Sequence, residues 1–559
     1  MINGDKHTQA ASENITKCLM WDTACRDQKT ITKDIADGKD ITELYGLGEA
    51  GLFDEFFHFL EELGITKLFR CLDPKVKERA SNVNFESTLL IYLMRIVSGL
   101  QFFWHIESVL LKSQSLMRLV GFNGRAVSKG TSQRGLSKED KENQGLKSDD
   151  NSTIRGPICP DSIATNIENI TAKALETVFN GIISLLAAHS FFPKSIHVVM
   201  DASEIESTQK CKGCGKVKKE KPPELCRRKE RIKKINVMVF GFKIWVVWDT
   251  NSRLPLAMRF DTINVADINL AQELIEQAIK NMGKYAKITT IAFDRGFLDG
   301  KFMHWLDSEG ITFFVPAKSN LHVYSDAISL VESGIRQSRE IKRTTGHGKN
   351  KKVKIDLYDA VGIEALTSAG FYSELGSGSH ENSKTFVAKP INAIVMLESP
   401  FKKNNPNANT FVILTNGSVK KPLSVYDGYD ARSEIENGVF REGKQAWYIE
   451  RPARNSMEGF RSHAYLTVMI EALTRAFRTW MSQQEKKESQ GKETGIRKFR
   501  QRILTENANK FIVFDGNKYA IFEAFELMIL TGTNVLKPRG IVETITKEDI
   551  LCKYDVIQV

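Results

Sequence analysis

The chain has 559 residues, of which 42% are hydrophobic and 26% are charged. This length allows about three or four domains of ~150 residues each, and the apolar content excludes a globally disordered chain. With 79 basic and 68 acidic residues, the formal net charge is +11, which favours a polyanionic partner.

Neither a membrane span nor a secretory signal is predicted. Residues Met1 to Lys6 are polar and no apolar run follows them, and Arg95 interrupts the longest apolar stretch, Thr88 to Trp104. Eight Cys in a chain of this length do not form a dense disulfide framework. We therefore expect a soluble, intracellular protein with reduced thiols and no membrane contact.

The N-terminal region, residues 1–125, is predicted to be mainly helical. Apolar residues recur at helical spacing from Phe53 to Leu60 and again from Leu89 to Leu100. The polar segment 126–156, rich in Ser, Lys, Gly and Asn, is predicted to be a linker. After it, a helix is predicted to open at Asp161-Ser162 and to continue to Leu186.

Residues 157–317 have the pattern of apolar residues that is typical of an α/β sheet. Three apolar runs are predicted to form consecutive strands: Ile196–Met200, Asn236–Asp249 and Leu254–Thr262. Helices and strands then alternate: helix Asp267–Met282, strand Ile288–Phe293, helix Asp299–Ser308 and strand Ile311–Val315. This order predicts a mixed α/β fold with a sheet flanked by helices, and it is the element order of the ribonuclease-H-like core.

The alternation stops after Lys318. Residues 318–410 contain strand-like pieces between Gly- and Lys-rich loops, so we predict a β-rich insertion in the core. The core resumes over 411–482 with two helical stretches, Asp430–Phe440 and Met457–Ser482. Residues 483–559 form a C-terminal region in which nothing is diagnostic.

Two aspartates stand where predicted buried strands end. Asp201 follows Ile196–Met200, and Asp294 follows Ile288–Phe293. Ligand sites of open α/β sheets lie beyond strand ends, so the two carboxylates converge if their strands are neighbours. Each Asp by itself also fits a turn or an N-cap. The pair, followed by an acidic helix in a basic protein, favours a functional site.

Paired carboxylates suit Mg²⁺ or Mn²⁺, which prefer oxygen ligands and keep several waters. With two ions about 4 Å apart, one activates the attacking oxygen of an in-line phosphoryl displacement and the other stabilises the leaving oxygen. Two Mg²⁺ (or Mn²⁺) ions are therefore the predicted cofactor.

A third carboxylate is indicated by a sequence motif. Tyr429, Arg432 and Glu436 stand in the string YDARSEIENGVFREGK with the spacing Tyr-x2-Arg-x3-Glu. This spacing resembles the signature of a large group of bacterial insertion-sequence transposases of the DDE type, whose helix carries Tyr, Arg, Glu and Lys. The words DASEIES at Asp201, DRGF at Asp294 and FREGKQAW after the Glu are similar to that group too, as is a β-rich insertion between the second Asp and the Glu.

This resemblance, which covers roughly Phe192 to Trp480, implies a role for each motif residue. The implied catalytic and metal-binding residues are Asp201, Asp294 and Glu436, and the implied DNA-contacting residues are Tyr429, Arg432 and Lys444. Positions 429, 432 and 436 are three and four residues apart and share one face of a helix, so the Tyr and Arg would contact phosphate oxygens beside the Glu. Without the motif spacing, Glu434 is an equal candidate for the third ligand.

The chain departs from the group in two places. The group's Lys follows the Glu with six residues between them, whereas Lys444 follows with seven, and a helix bend at Gly438 would let it reach the site. Relatives use a Trp of the insertion to hold a flipped base at the DNA end, but no Trp occurs between Lys318 and Gly417. That role is vacant or passes to an aromatic residue such as Phe371 or Tyr372.

A basic, Cys-containing loop is predicted over residues 205–235. Lys210 to Lys234 contain twelve Lys or Arg and three Glu, which fits contact with the DNA backbone that weakens steeply with salt. Cys211-x2-Cys214 is half of a structural zinc site, and Cys226 would supply a third thiolate. A fourth ligand would come from Cys159 or His197. The alternative is a set of ordinary thiols in a basic loop.

The leading hypothesis is an active transposase. By resemblance, it would bind double-stranded DNA, both the ends of its element and the target, as a homodimer associated with the bacterial nucleoid in the cytoplasm. The N-terminal region 1–125 would bind DNA and supply part of the recognition of the ends. It would nick the ends with metal-activated water and then use the freed 3′-OH for strand transfer. One alternative is a domesticated, catalytically silent DNA-binding protein or repressor. Another is a ribonuclease-H-like nuclease without strand transfer, which does not explain the Tyr-Arg-Glu motif or the insertion.

Overall fold

The structure, a computed structural model, describes residues 25–48, 50–74, 84–122, 127, 157–221, 235–331, 334–344, 350–363, 371–374, 386–399, 409–485, 495–516, 518–532 and 545–557. The chain divides into two compact units: unit 1 consists of Met1–Phe179 and Ala446–Val559, and unit 2 of Asn180–Gln445. The predicted linker 126–156 lies outside the described residues except for position 127.

The helices of the described residues are, in chain order, α1 (Gln28–Ala36), α2 (Phe53–Glu62), α3 (Ile65–Phe69), α4 (Phe85–Val97), α5 (His105–Val109), α6 (Gln114–Leu119), α7 (Pro160–Glu168), α8 (Ala172–Ala188), α9 (Ala271–Met282), α10 (Gly300–Ser308), α11 (His322–Ser329), α12 (Pro422–Asp430), α13 (Ser433–Ile435), α14 (Glu442–Gln445), α15 (Met457–Glu485), α16 (Ile496–Thr505), α17 (Ala524–Leu530) and α18 (Lys547–Lys553). The strands are β1 (Cys25–Arg26), β2 (Glu43–Gly46), β3 (Ser195–Ser207), β4 (Gly215–Lys221), β5 (Ile235–Asp249), β6 (Pro255–Thr262), β7 (Lys287–Phe293), β8 (Thr312–Pro316), β9 (Gln337–Thr344), β10 (Asn350–Ile363), β11 (Phe371–Glu374), β12 (Phe386–Lys389), β13 (Ile391–Ser399), β14 (Thr410–Thr415), β15 (Lys510–Asp515) and β16 (Lys518–Glu523).

Unit 1 contains a four-stranded sheet to which both ends of the chain contribute. The strand order is β1-β16-β15-β2, with β1 parallel to β16 and the other neighbours antiparallel. Its core joins residues from distant segments: Ile31, Ile35, Val513, Ala520, Phe522, Leu527, Leu530 and Ile550. Strands from the predicted N-terminal region 1–125 and the predicted C-terminal region 483–559 therefore pair in one sheet.

The helices of unit 1 pack against the long helix α15. The predicted helical runs from Phe53 and from Leu89 are confirmed by α2 and α4. The rings of Phe56 and Phe59 on α2 lie 5.2 and 5.4 Å from the ring of Phe477 on α15, centroid to centroid. Such edge-on and tilted ring contacts stabilise a core beyond the area that they bury.

The prediction of one continuous helix from Asp161 to Leu186 is wrong. The structure has two helices, α7 and α8, bent by 87°. The Asn169 N–H donates to Thr165 O and ends α7, and Thr171 Oγ1 accepts from the Ala174 N–H at the start of α8. A hydroxyl acceptor at a helix start stabilises a new N-terminus, so the apolar periodicity continues across a break in the backbone. Within the part of the chain that the structure describes, no single helix is long and apolar enough to cross a membrane. Only the bent pair of α7 and α8, taken together, has sufficient length and apolar composition.

The buried His463 on α15 makes unit 1 sensitive to acid. Its Nε2 donates to Tyr448 O at 2.9 Å, so Nδ1 accepts from the Tyr92 hydroxyl at 2.9 Å. Burial, together with the positive charge of Arg95, lowers the pKa of His463 to about 3. The ring is therefore neutral in the folded protein at any pH at which the fold is tested.

We expect unit 1 to lose stability below pH 6.5 because of His463. The unfolded chain takes up a proton near pH 6.5 and the folded ring does so only near pH 3, so the stability is complete above 6.5 and falls as the pH drops through this window. The loss from this group between pH 6.5 and pH 5 is roughly 2 kcal/mol. Urea unfolding of the wild type and of His463→Gln at pH 5, 6 and 7 measures it. The variant is expected to have the flatter pH profile, and equal slopes would contradict the assignment.

Unit 2 is built on a ten-stranded mixed sheet. Its order is β4-β5-β3-β7-β8-β14-β13-β10-β9, and β6 also pairs with β5. The strands β3, β7 and β8 are parallel neighbours, and the remaining pairs are antiparallel. The three predicted consecutive strands and the alternation after them are confirmed by β3, β5, β6, α9, β7, α10 and β8. The predicted mixed α/β, ribonuclease-H-like fold class is confirmed.

Two features of this sheet differ from the predicted pattern. Within 205–235, predicted as a loop, β3 continues to Ser207 and Gly215–Lys221 form β4, because both segments pair with β5. Within the predicted insertion 318–410, β9, β10 and β13 extend the core sheet beyond β14, and β11 and β12 pair in a separate two-stranded sheet. The insertion also contains the helix α11.

The helix predicted over Asp430–Phe440 is composed of several pieces. Helix α12 ends at Asp430, and backbone bonds from Arg432 N–H to Tyr429 O and from Glu434 N–H to Ala431 O lead into α13. A π-helical segment then spans Glu436–Arg441 and is followed by α14. The backbone stays right-handed throughout, but its winding changes twice along the predicted motif.

Candidate active site

Asp201 and Asp294 lie side by side at one edge of the unit 2 sheet. The parallel strands β3 and β7 are neighbours, and their register pairs Met200 with Phe293. The next residue in each segment is the predicted aspartate: Asp294 directly follows β7, and Asp201 lies within β3. The condition that the sequence left open, that the two strands are adjacent, is therefore met. The site lies where β7 ends and where its parallel pairing with β3 stops. The strand end predicted at Asp201 is wrong, because β3 continues to Ser207 through its pairing with β5.

Asp201 is held in a partly buried, charged environment. Its Oδ1 accepts from the Ala202 N–H at 2.8 Å, and its side chain is 19% exposed. Burial, together with the negative charges of Asp294 and Asp267, raises the pKa of the Asp201 carboxyl to about 6 against the lowering effects of the Ala202 N–H and of Arg432. A buried carboxyl whose pKa is raised beside other carboxylates is typical of functional sites.

Arg432 brings a positive charge to this pair. Its Nη1 donates to Asp201 Oδ2 at 3.0 Å. The guanidinium carbon lies 6.0 Å from the centre of the Tyr429 ring, which in turn lies 5.7 Å from the ring of Phe411 on β14. Burial raises the pKa of the Tyr429 phenol. Two of the three predicted motif residues of this segment thus lie next to the aspartates.

Close packing of α12 on the sheet places Tyr429 and Arg432. The His197 side chain on β3 donates from Nε2 to Gly428 O at 3.0 Å, and its Nδ1 contacts the Thr290 hydroxyl on β7. A Cβ on Gly428 would lie 2.6 Å from Cε2 of Phe314 on β8, so only glycine lets the helix approach so closely. His197 therefore acts in positioning the helix and is not directed to a metal.

The two glutamates of the motif have different surroundings. Glu434 Oε2 lies 3.5 Å from Arg253 Nη2, in the turn between β5 and β6. Glu436 is exposed and begins the π-helical segment. Ile435 between them is fully buried, so the segment is anchored to the sheet while the glutamates remain at the surface.

Lys444 reaches the strand that carries Asp201. Its Nζ donates to Glu204 O at 2.6 Å, and Glu204 stands three residues after Asp201 on β3. The Glu204 carboxylate pairs with Lys219 on β4. The basic segment that the sequence assigned to DNA contact therefore has at least one lysine at the same strand.

Asp267 is a further carboxylate of this edge that the sequence did not single out. Its Oδ1 accepts from Lys243 Nζ at 2.9 Å and from Trp245 Nε1 at 3.0 Å, both on β5. A Cβ on Gly296 would lie 3.5 Å from Asp267 Oδ2, so the group faces the loop that begins with Asp294. In the sequence, Asp267 is only an acidic residue at a helix start, which is common at helix ends.

Two of the three predicted metal ligands are placed where they could bind a hard divalent cation. Asp201 and Asp294 supply carboxylate oxygens, and the guanidinium of Arg432 shows that a cation is accommodated there. Among the described residues, no group of three His, Cys, Asp or Glu side chains is close enough to hold one ion, so Glu436 is not gathered with the two aspartates.

The predicted zinc ligands are not gathered either. Cys211 is buried, with Sγ 3.8 Å from Lys212 O, and Cys214 Sγ lies 3.9 Å from Thr208 O. Cys226 lies outside the described residues, and His197 is engaged with Thr290 and Gly428. A zinc site at the Cys cluster stays a prediction.

Comparison with known proteins places this site in a domain of known type. The sequence profile of the family described as "Transposase DDE domain" matches residues 193–470, which include all three predicted carboxylates. The chain is similar in structure to the piggyBac transposase in a cryo-EM structure of its synaptic complex with hairpin DNA, with a TM-score of 0.39 and 10% identity over 86% of this chain and 80% of that chain. No curated protein sequence matches the chain. Residues 193–470 of this chain therefore match the transposase DDE domain in sequence.

Proposed function

We propose that this protein is an active transposase that binds the ends of an insertion sequence, cuts the DNA there with divalent metal ions and joins the freed 3′ ends to target DNA. The observation that carries this proposal is the adjacency of Asp201 and Asp294 on neighbouring parallel strands, with the Arg432 guanidinium against them. A structural ion pair needs one carboxylate, whereas two carboxylates at a strand edge suit a metal ion.

Asp201, Asp294 and Glu436 are the residues that we propose as metal ligands. Mg²⁺ or Mn²⁺ bound there would activate the attacking oxygen and stabilise the leaving oxygen of the cleaved phosphodiester. Glu434 is the weaker candidate for the third ligand because its carboxylate is directed to Arg253. The Asp267 carboxylate is hydrogen-bonded to Lys243 and Trp245, so we propose that it contributes negative charge to the site and is not a metal ligand.

Tyr429, Arg432 and Lys444 are the residues that we propose as contacts to the DNA backbone. Arg432 offers several N–H donors in a planar fork, of which one is used on Asp201, so a phosphate oxygen can be bound beside the carboxylates. Tyr429 lies next to this guanidinium. Contacts of this kind hold the scissile strand in place and do not read its sequence.

The test is a cleavage assay with the purified protein. Labelled DNA from the ends of the element is incubated with the protein and Mg²⁺, with DNA of the same length from inside the element as the control, and products are separated on denaturing gels. We expect strand-specific nicks at the ends only, none with EDTA, and a dimer on end DNA by light scattering. Binding without any nick in Mg²⁺ or Mn²⁺ would show a DNA-binding protein in place of an enzyme.

A further inference from the structure

The spacing between Glu436 and Lys444 is out of phase with a regular α-helix. An α-helix turns once in about 3.6 residues, so two residues that are seven positions apart lie within about 20° of the same face. Lys444 comes eight positions after Glu436, which on an unbroken α-helix would rotate it about 80° away. A contact of Lys444 beside the carboxylates therefore needs a local change in winding.

The structure has this change between the two residues. Glu436–Arg441 form a π-helical segment, between α13 and α14. Each π turn is closed by an i→i+5 hydrogen bond, so it takes up one residue more than an α turn. Lys444 is eight positions after Glu436, and one of these positions is taken up by the wider π turn. The remaining seven correspond to about two α-helical turns, which brings Lys444 back to the helix face of Glu436.

The position of Lys444 agrees with this register. Its ammonium donates to Glu204 O at 2.6 Å, three residues along β3 from Asp201. Three residues of a strand span about 10 Å, so the ammonium lies on the same strand as Asp201 and about that far along it. An ammonium has three N–H donors, so it can bind the Glu204 oxygen and a phosphate oxygen together.

A hinge at Gly438 does not account for the register. Gly438 has no positive φ, and a Cβ built on it would make an ordinary contact of 3.9 Å with Cζ2 of Trp248. Alanine therefore fits at this position, and the glycine is not required by its backbone conformation. The number of residues in the segment, and not the flexibility of one of them, is what places Lys444.

We propose that the π-helical segment Glu436–Arg441 is a register device: it absorbs the one residue by which the Glu436–Lys444 spacing exceeds seven positions. It thereby holds Lys444 on the same helix face as Glu436, where Lys444 binds the DNA backbone beside β3. The inference deepens the proposed function and rests on it. π-helical turns inside α-helices are frequent at functional sites.

The test changes the number of residues in the segment. Deletion of Gly438 removes the surplus and lets Glu436 to Gln445 run as one α-helix, so cleavage of end DNA is expected to stay within about threefold of the wild type. Insertion of one alanine after Gly438 rotates Lys444 by about 100° and is expected to reduce cleavage as much as Lys444→Ala, by about 10- to 100-fold. Gly438→Ala keeps the residue number and is the matched control, with activity close to that of the wild type.

A second measurement separates DNA contact from folding. The slope of the binding constant against salt concentration is expected to fall by about one for Lys444→Ala and for the insertion, and to stay unchanged for the deletion and for Lys444→Arg. Circular dichroism and thermal unfolding exclude variants that do not fold, and the Lys444 substitutions leave the backbone unchanged. A folded deletion variant that is as inactive as Lys444→Ala, or an insertion variant with full activity, overturns the register device. A wild type that never cleaves overturns the proposed function instead.

Discussion

Replacing Asp201 or Asp294 by asparagine is expected to abolish DNA cleavage while DNA binding persists. Asparagine keeps the size of the side chain but removes the anionic oxygen that a hard divalent cation selects. The loss of one electrostatic group in an active site costs about 10²- to 10³-fold in rate. For a proposed ligand that also orients the reacting oxygens, we expect a loss of at least about 10³-fold.

The two aspartates are expected to act as one unit. Because the register of β3 and β7 places them side by side, one cation would contact both, and the double variant should cleave no more slowly than either single variant. Arg432 loses its anionic partner in Asp201→Asn, so its guanidinium becomes available to a phosphate. The affinity for end DNA is therefore expected to be unchanged or higher.

Single-turnover cleavage of labelled end DNA and its binding constant at one salt concentration measure both effects. The matched control is Asp299→Asn, five residues after Asp294, whose side chain caps α10 by accepting from the Phe302 N–H at 2.9 Å. Asparagine caps a helix as well as aspartate does, so this variant should cleave normally. Cleavage by Asp201→Asn or Asp294→Asn at more than about a tenth of the wild-type rate would contradict their role as ligands.

Glu436→Gln is expected to reduce cleavage by roughly 10²-fold or more, whereas Glu434→Gln is expected to stay within about threefold of the wild type. The two residues are two positions apart, but Glu434 is paired with Arg253 in the β5–β6 turn, and Glu436 begins the π-helical segment. Half-exposed ion pairs such as Glu434–Arg253 contribute little to stability, so the control variant should also fold normally.

The same cleavage assay, with thermal unfolding to compare stability, tests this pair. In the structure Glu436 is not gathered with Asp201 and Asp294, so the prediction also requires that the segment closes on the carboxylates when metal and DNA bind. Normal cleavage by Glu436→Gln together with loss of cleavage by Glu434→Gln would identify Glu434 as the third ligand.

Local patterns predicted much of the sheet of unit 2. Buried strands are continuous apolar runs, so the buried part of β3 and the whole of β7 could be read directly, as could Asp294 at the end of β7. The polar residues of β3 from Asp201 to Ser207 could not, because only their pairing with β5 makes them a strand. The Tyr429-x2-Arg432 spacing predicted two side chains on one face, and the structure places both near Asp201. The break between the two helices at Asn169 to Thr171 could not be predicted, because the apolar residues keep their helical spacing on both sides of it.

The sequence by itself determined the type of fold, the position of Asp294 at a strand end and the presence of the Tyr-Arg-Glu motif, because apolar periodicity and residue spacing are local properties of the chain. Only the tertiary structure decided that β3 and β7 are neighbours, that Glu434 is directed to Arg253 and that strands from both ends of the chain share one sheet. Pairing between distant strands depends on hydrogen bonds and packing that no local window contains. The extra residue before Lys444 is visible in the sequence, but its accommodation in a π-helical segment required the structure, since helix winding is set by what each face packs against.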